Sequence, residues 1–197
     1  MKVAFDLNDV IRDFTRNFAK IYQREYNREI NIDEIEVTTN DMSKVFPFDS
    51  KAEYTRFVYN DYPYELFGKC DTVESWSPAI LNNWIEELKN YEEGEDVDVM
   101  IVSPMEYGLT IQSTYFFLSK IACRVREVYF PVNSETIWEK CDVLVTANPK
   151  LLDTKPEDKV AIKINVDYNK NSECTESYDN VSEFLVDVNN LLKLRKE

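Results

Sequence analysis

A chain of 197 residues, 44% hydrophobic and 13% aromatic, is long enough to bury a substantial core as one domain, or as one domain carrying an insertion. A formal charge of −14 leaves no basic excess for general binding to nucleic-acid backbone or to an anionic membrane, because that affinity comes from cations displacing phosphate counterions. The complete lack of histidine removes His-based acid and base chemistry, Ser-His-Asp and Cys-His nucleophiles and the usual zinc sites, so any catalysis must rest on carboxylates, Lys, Tyr, Ser, Thr or Cys.

The chain opens with an apolar run, Val3 to Phe5, that meets a cluster of side-chain oxygens at Asp6, Asn8 and Asp9. Helical spacing then begins at Val10 and continues through Phe14, Phe18 and Ile21, which predicts strand, acidic loop and a helix reaching about Tyr26. Asp6 interrupts the first apolar run, so no signal-peptide pattern is expected, and no segment reaches the length of a membrane span. A soluble protein of a bacterial cytoplasm, or one carried in an assembly, is expected.

Asn31 to Glu34 offers a helix start, whereas Ile35 to Thr39 is β-branched and favours extension, and the segment stays unassigned. Ser50 and Glu53 form a capping box ahead of Tyr54, Phe57 and Val58. Aromatic residues are dense from Phe46 to Trp76, which suits either a stacking surface for a ligand or the core of a small helical subdomain. Ser77 and Pro78 then supply an N-cap and first-turn pair for a helix with Leu81, Trp84 and Leu88 on one face, ending in the acidic stretch Glu92 to Asp96.

From there short apolar runs alternate with helical stretches. Strands are expected at Val97–Val102, Val125–Phe130, Asp142–Val145 and, last, Val160–Ile164. Helices are expected at Thr110–Cys123 and Ser134–Cys141. Val181, Phe184, Leu185, Val188 and Leu192 form a closing amphipathic helix whose Lys193, Arg195 and Lys196 suit its negative dipole end. The four cysteines, Cys70, Cys123, Cys141 and Cys174, are scattered without a Cys-x-x-Cys pair and read as reduced, mostly buried small hydrophobes.

The strand, the acidic loop at Asp6-Leu7-Asn8 and the helix after it resemble the first motif of the haloacid dehalogenase (HAD) superfamily. The whole layout resembles its 5'(3')-deoxyribonucleotidase-like group: an α/β parallel-sheet core from residues 1–14 and 97–197, with a helical, aromatic-rich cap inserted at 15–96. The resemblance implies Asp6 as a nucleophile that also binds magnesium, with the Asn8 backbone carbonyl as a second ligand. It implies Ser103 as the holder of the phosphoryl group, although Ser103-Pro104 is also ordinary turn chemistry at a strand end.

The other motif positions depart from the family. Asn8 stands where the family carries its proton-transferring Asp, and an amide cannot take that role. Lys140 lies at the wrong end of its helix to be the phosphate-neutralising lysine, and Thr146 and Ala147 occupy the positions of a metal-binding acidic pair. Asp9 and Asp13 are the residues that could substitute.

The expectation is therefore a catalytically degenerate HAD-fold protein without a resident cofactor, acting as a binding or structural module. A protein partner or self-assembly, and a nucleotide or phosphate ligand, are its expected contacts. Abundant Asn, Lys, Tyr and Ile beside only three Gly suggests an AT-rich genome, hence a phage virion or accessory component. The alternative is a magnesium-dependent phosphomonoester hydrolase working through an Asp6 phosphoenzyme.

Overall fold

The computed structural model describes residues 1–26, 34–89 and 97–186. Its centre is a six-stranded parallel sheet in the order β3-β2-β1-β4-β5-β6, formed by β1 (Lys2–Asp6), β2 (Asp98–Val102), β3 (Glu127–Tyr129), β4 (Val143–Thr146), β5 (Val160–Ile164) and β6 (Glu176–Tyr178). β1 is central because every one of its last four side chains is buried, and a strand can be apolar on both faces only where helices cover both. Val3 and Phe5 point to one layer and Ala4 to the other. The sixth strand lies beyond Val160–Ile164, which the sequence presents as the last: Glu176-Ser177-Tyr178 is too short and polar to announce itself, and takes strand form as the sheet's edge.

Between β1 and β2 come α1 (Phe14–Tyr26), α2 (Met42–Val45), α3 (Lys51–Arg56) running into a π-helical turn at Phe57–Asp61, a second such turn at Tyr64–Gly68, and α4 (Ser77–Lys89). The first helix begins at Phe14 and not at Val10. Residues 7–12 close a tight loop in which the Leu7 carbonyl accepts from Val10, Ile11 and Arg12, and Asp9 has φ +58. The apolar spacing from Val10 is real, but Val10 and Ile11 fill the core from that loop. Ser50 caps α3 as the sequence suggests, with Glu53 N–H donating to Ser50 Oγ at 3.1 Å, while the Glu53 carboxylate reaches one residue past the cap and accepts from Asp49 N–H at 2.6 Å. Residues 35–39 are neither helix nor strand, and the end expected for α4 in 92–96 lies outside the described residues.

Most of the dense aromatics form a core of their own. Phe18, Tyr22, Phe46, Phe57 and Phe67 are buried together, with Phe48, Tyr54, Tyr59 and Tyr62 partly buried around them. Each fully buried ring of this kind removes enough apolar area from water to contribute roughly 2–3 kcal/mol, and Ile21, Met42, Val58 and Leu66 are buried among the rings. Gly68 is where this layer meets the α/β core. A Cβ there would stand 3.1 Å from the Ser113 carbonyl oxygen on α5 (Leu109–Lys120), tight enough that a larger residue would push the two layers apart by a few tenths of an ångström.

Helix α4 behaves differently from the rest of the expected 15–96 insertion. Its Leu81, Trp84 and Ile85 pack in the same cluster as Val3 and Phe5, with the Trp84 ring edge-on to Phe5 at 5.7 Å and tilted against Phe184 at 6.1 Å. The remaining elements are a 3-10 turn at Ser134–Ile137, where the sequence suggests a longer helix, α6 (Pro149–Asp153), a 3-10 turn at Asp167–Asn169 and α7 (Val181–Leu185); residues beyond 186 of the expected closing helix lie outside the described residues. Among the described residues no helix is long and apolar enough to cross a membrane.

Candidate functional site

Parallel strands all present their carboxyl ends on one edge of a sheet, and residues just past those ends are the ones available for a site. In this register Asp6 of β1 aligns with Val102 of β2, and Phe5 with Val145 of β4. Asp6, Ser103 and Thr146 therefore arrive side by side although they are distant in sequence. Thr146 Oγ1 donates a 2.8 Å hydrogen bond to Asp6 Oδ2, whereas Asp6 Oδ1 is buried without a partner. Asp6 is only 2% exposed, and this burial pushes its carboxyl up to about 7, against the lowering effects of the Thr146 hydrogen bond, of the nearby Leu7 N–H, whose own hydrogen bond goes to the Val102 carbonyl at 3.2 Å, and of the Arg12 guanidinium.

The loop after β1 is fixed by two side chains. Asp9 adopts the left-handed conformation that Asp tolerates better than most residues. Its carboxylate accepts from Thr15 N–H at 2.9 Å, Thr15 Oγ1 at 2.6 Å and Tyr168 OH at 2.8 Å, so the loop is clamped to the start of α1 and to the segment after β5. Burial raises the Asp9 carboxyl above its ordinary range and the Tyr168 hydroxyl above its own.

The second side chain, Arg12, is fully buried. Its guanidinium donates to Asn8 Oδ1 at 2.9 and 2.6 Å, to Glu106 Oε1 at 2.6 Å, to Thr114 Oγ1 at 2.6 Å, to Ser103 Oγ at 3.3 Å and to the Phe67 carbonyl at 3.3 Å. It lies among the rings of Phe14, Phe67 and Phe117 at 5.0–5.9 Å. Glu106 also accepts from Ser103 Oγ and, at 2.6 Å, from Thr114 Oγ1. The charge is thus paired and nearly every polar atom around it is satisfied, the condition under which an ion pair persists in an interior.

A cavity of about 750 Å³ opens above these strand ends, between the sheet edge and the aromatic layer. Asp6, Asn8 and Asp9 line it, as do Lys51, Tyr54, Tyr59, Phe67, Asn148 and Lys150. Ser103 does not: its hydroxyl is buried in the Arg12 and Glu106 network, while Pro104 and Met105 face the space. Asp13 is half-buried beside a smaller neighbouring cavity of about 330 Å³, Lys140 is exposed on the surface, and Ala147 packs in the apolar core. Sequence patterns do not single out Arg12, Glu106, Thr114, Tyr168, Lys51 or Lys150. Only Arg12 leaves a trace, as a charge directly after two apolar residues, and its partner Glu106 is 94 positions away.

A magnesium ion wants near-octahedral oxygen coordination anchored by carboxylates. Here Asn8 Oδ1 is taken by Arg12, both Asp9 oxygens are taken by Thr15 and Tyr168, and Thr146 spends its proton on Asp6. That leaves Asp6 Oδ1 as the single unengaged carboxylate oxygen at these positions, beside the Asn8 backbone carbonyl that the family resemblance names as a second ligand. Among the described residues no group of three or more Cys, Asp or Glu side chains is arranged to hold a metal ion.

The sequence matches no protein-family model and no curated protein. A solved structure does match: a protein from Burkholderia xenovorans LB400 named as a haloacid dehalogenase-like hydrolase superimposes over 94% of this chain and 97% of its own, with a TM-score of 0.56 and 11% identity. With the parallel sheet order and the site at its carboxyl edge, this likeness shows that the chain has the haloacid dehalogenase-like α/β fold.

Proposed function

We propose that the chain is a catalytically degenerate HAD-fold binding module, whose cleft holds a small ligand without transferring a phosphoryl group and which serves a partner or an assembly. The observation that supports this most is the Arg12 network. Asn8 and Ser103, which stand at the family's proton-carrying and phosphate-holding positions, both spend their side chains on Arg12 and Glu106. Asn8 cannot shuttle a proton in any case, and a serine hydroxyl bound to a buried carboxylate has no free donor for a phosphoryl oxygen.

Phosphate release from nucleoside monophosphates and simple phosphomonoesters, followed while magnesium is titrated, tests the proposal. The parent is expected to release no more phosphate than Asp6→Asn. Magnesium-dependent turnover that Asp6→Asn abolishes would overturn it. That outcome would establish the second reading, a hydrolase using Asp6 as nucleophile, which is favoured by one observation: Asp6 Oδ1 lacks a partner at the base of the cleft.

A further inference from the structure

The cleft is polarised in a way that the family motifs do not anticipate. At its inner end lies Asp6, 2% exposed, with Oδ1 unpartnered although the residue lines the cavity. A buried acceptor with no donor costs free energy, and a ligand that donates to it recovers that cost. The walls carry Tyr54 and Tyr59, aromatic rings of the kind that attract cations, and Phe67, whose ring already has Arg12 at 5.0 Å. The cationic side chains lining the cavity, Lys51 and Lys150, are both exposed and therefore stand at its mouth. Asp41 also lines the cavity, but its carboxylate is engaged by Ser43 and Lys44, so an anion would meet Lys51 and Lys150 outside and the Asp6 carboxyl inside, and an ammonium group the reverse.

Resting on the proposal that the cleft binds and does not cleave, we infer that its ligand is a small zwitterion, with an ammonium group seated inward on Asp6 between aromatic walls and an anionic group outward toward Lys51 and Lys150. The inward ammonium supplies both a charge and the missing hydrogen-bond donor, and a ring or chain between the two charges fills the apolar middle. A volume of about 750 Å³ is ample for such a molecule.

4-(Aminomethyl)benzoate carries the two charges at opposite ends of a ring, and benzylamine and benzoate each keep one of them. Titration calorimetry of the full chain with the three probes is expected to rank them in that order, with benzoate giving no measurable heat. Asp6→Asn should weaken 4-(aminomethyl)benzoate and benzylamine at least tenfold. Lys51→Ala, a surface change that leaves the fold intact, should bring 4-(aminomethyl)benzoate down toward benzylamine and leave benzylamine unchanged.

Absence of binding by either amine, tighter binding of benzoate than of benzylamine, or unaltered affinity in Asp6→Asn would each overturn the inference. Phosphate release measured on the same preparations separates the two proposals. Silent probes without turnover would remove only the zwitterion, whereas Asp6-dependent turnover would remove the binding-module reading beneath it.

Discussion

Arg12→Met is expected to cost about 3–5 kcal/mol of stability, the usual penalty for leaving one member of a buried ion pair without the other. Arg12 and Glu106 side chains are 0% and 1% exposed, so nothing in solvent can replace the lost partner. The Glu106 carboxylate would keep only the hydroxyl donors of Ser103 and Thr114, and the Asn8 and Phe67 carbonyls would lose theirs. The double variant Arg12→Met/Glu106→Leu removes both charges together. Because well-packed apolar groups can stand in for a buried pair, it should recover more than half of the loss. Chemical denaturation of parent, single and double variants measures this directly. A single-variant cost below about 1 kcal/mol would show that Arg12 is a passenger in the core. It would also take away the main support for the view that the Asn8 and Ser103 side chains are already engaged and closed to a substrate.

The same residue marks the limit of what the sequence makes legible. Apolar periodicity suffices for β1, α5 and β5, because continuous burial of a central strand or one face of a long helix leaves its pattern locally. Asp6 is legible by a different route, through the resemblance of the first strand and its acidic loop to the HAD first motif. What periodicity cannot carry is pairing across the chain. Nothing near Arg12 announces Glu106, nothing near Asp9 announces Tyr168 at a separation of 159 positions, and Ser103 reads as a phosphate holder until a buried carboxylate is found beside it. β6 stays hidden for a different reason. An edge strand of three residues has no apolar face to alternate, and only its pairing with β5 gives it strand form.

The carboxyl of Asp6 gives the second large effect, one that depends on pH. Burial raises it from 3.8 to about 7, so the folded chain holds that proton more tightly than the unfolded chain does. The resulting stabilisation is complete below pH 4, where both states are protonated, and is lost progressively as pH rises to about 7. Above that, folding must hold a buried carboxylate whose Oδ1 has no donor. Asparagine keeps the size and can still accept the Thr146 hydrogen bond, but it never ionises. Asp6→Asn should therefore match the parent near pH 4 and exceed it by a few kcal/mol at pH 8, roughly 4 at most for a shift of this size. Denaturation curves at the two pH values read the difference. Burial also raises Asp9 and Asp13: Asp13 titrates alike in both proteins, whereas Asp9 repels the Asp6 carboxylate, and its relief in Asp6→Asn adds to the difference at high pH. Equal stabilities at pH 8 would mean that Asp6 carries its charge without cost, with its free oxygen already served by a solvent proton or a cation. In that case the cleft would have the one property a nucleophilic aspartate needs, and the hydrolase reading would gain what the binding-module reading lost.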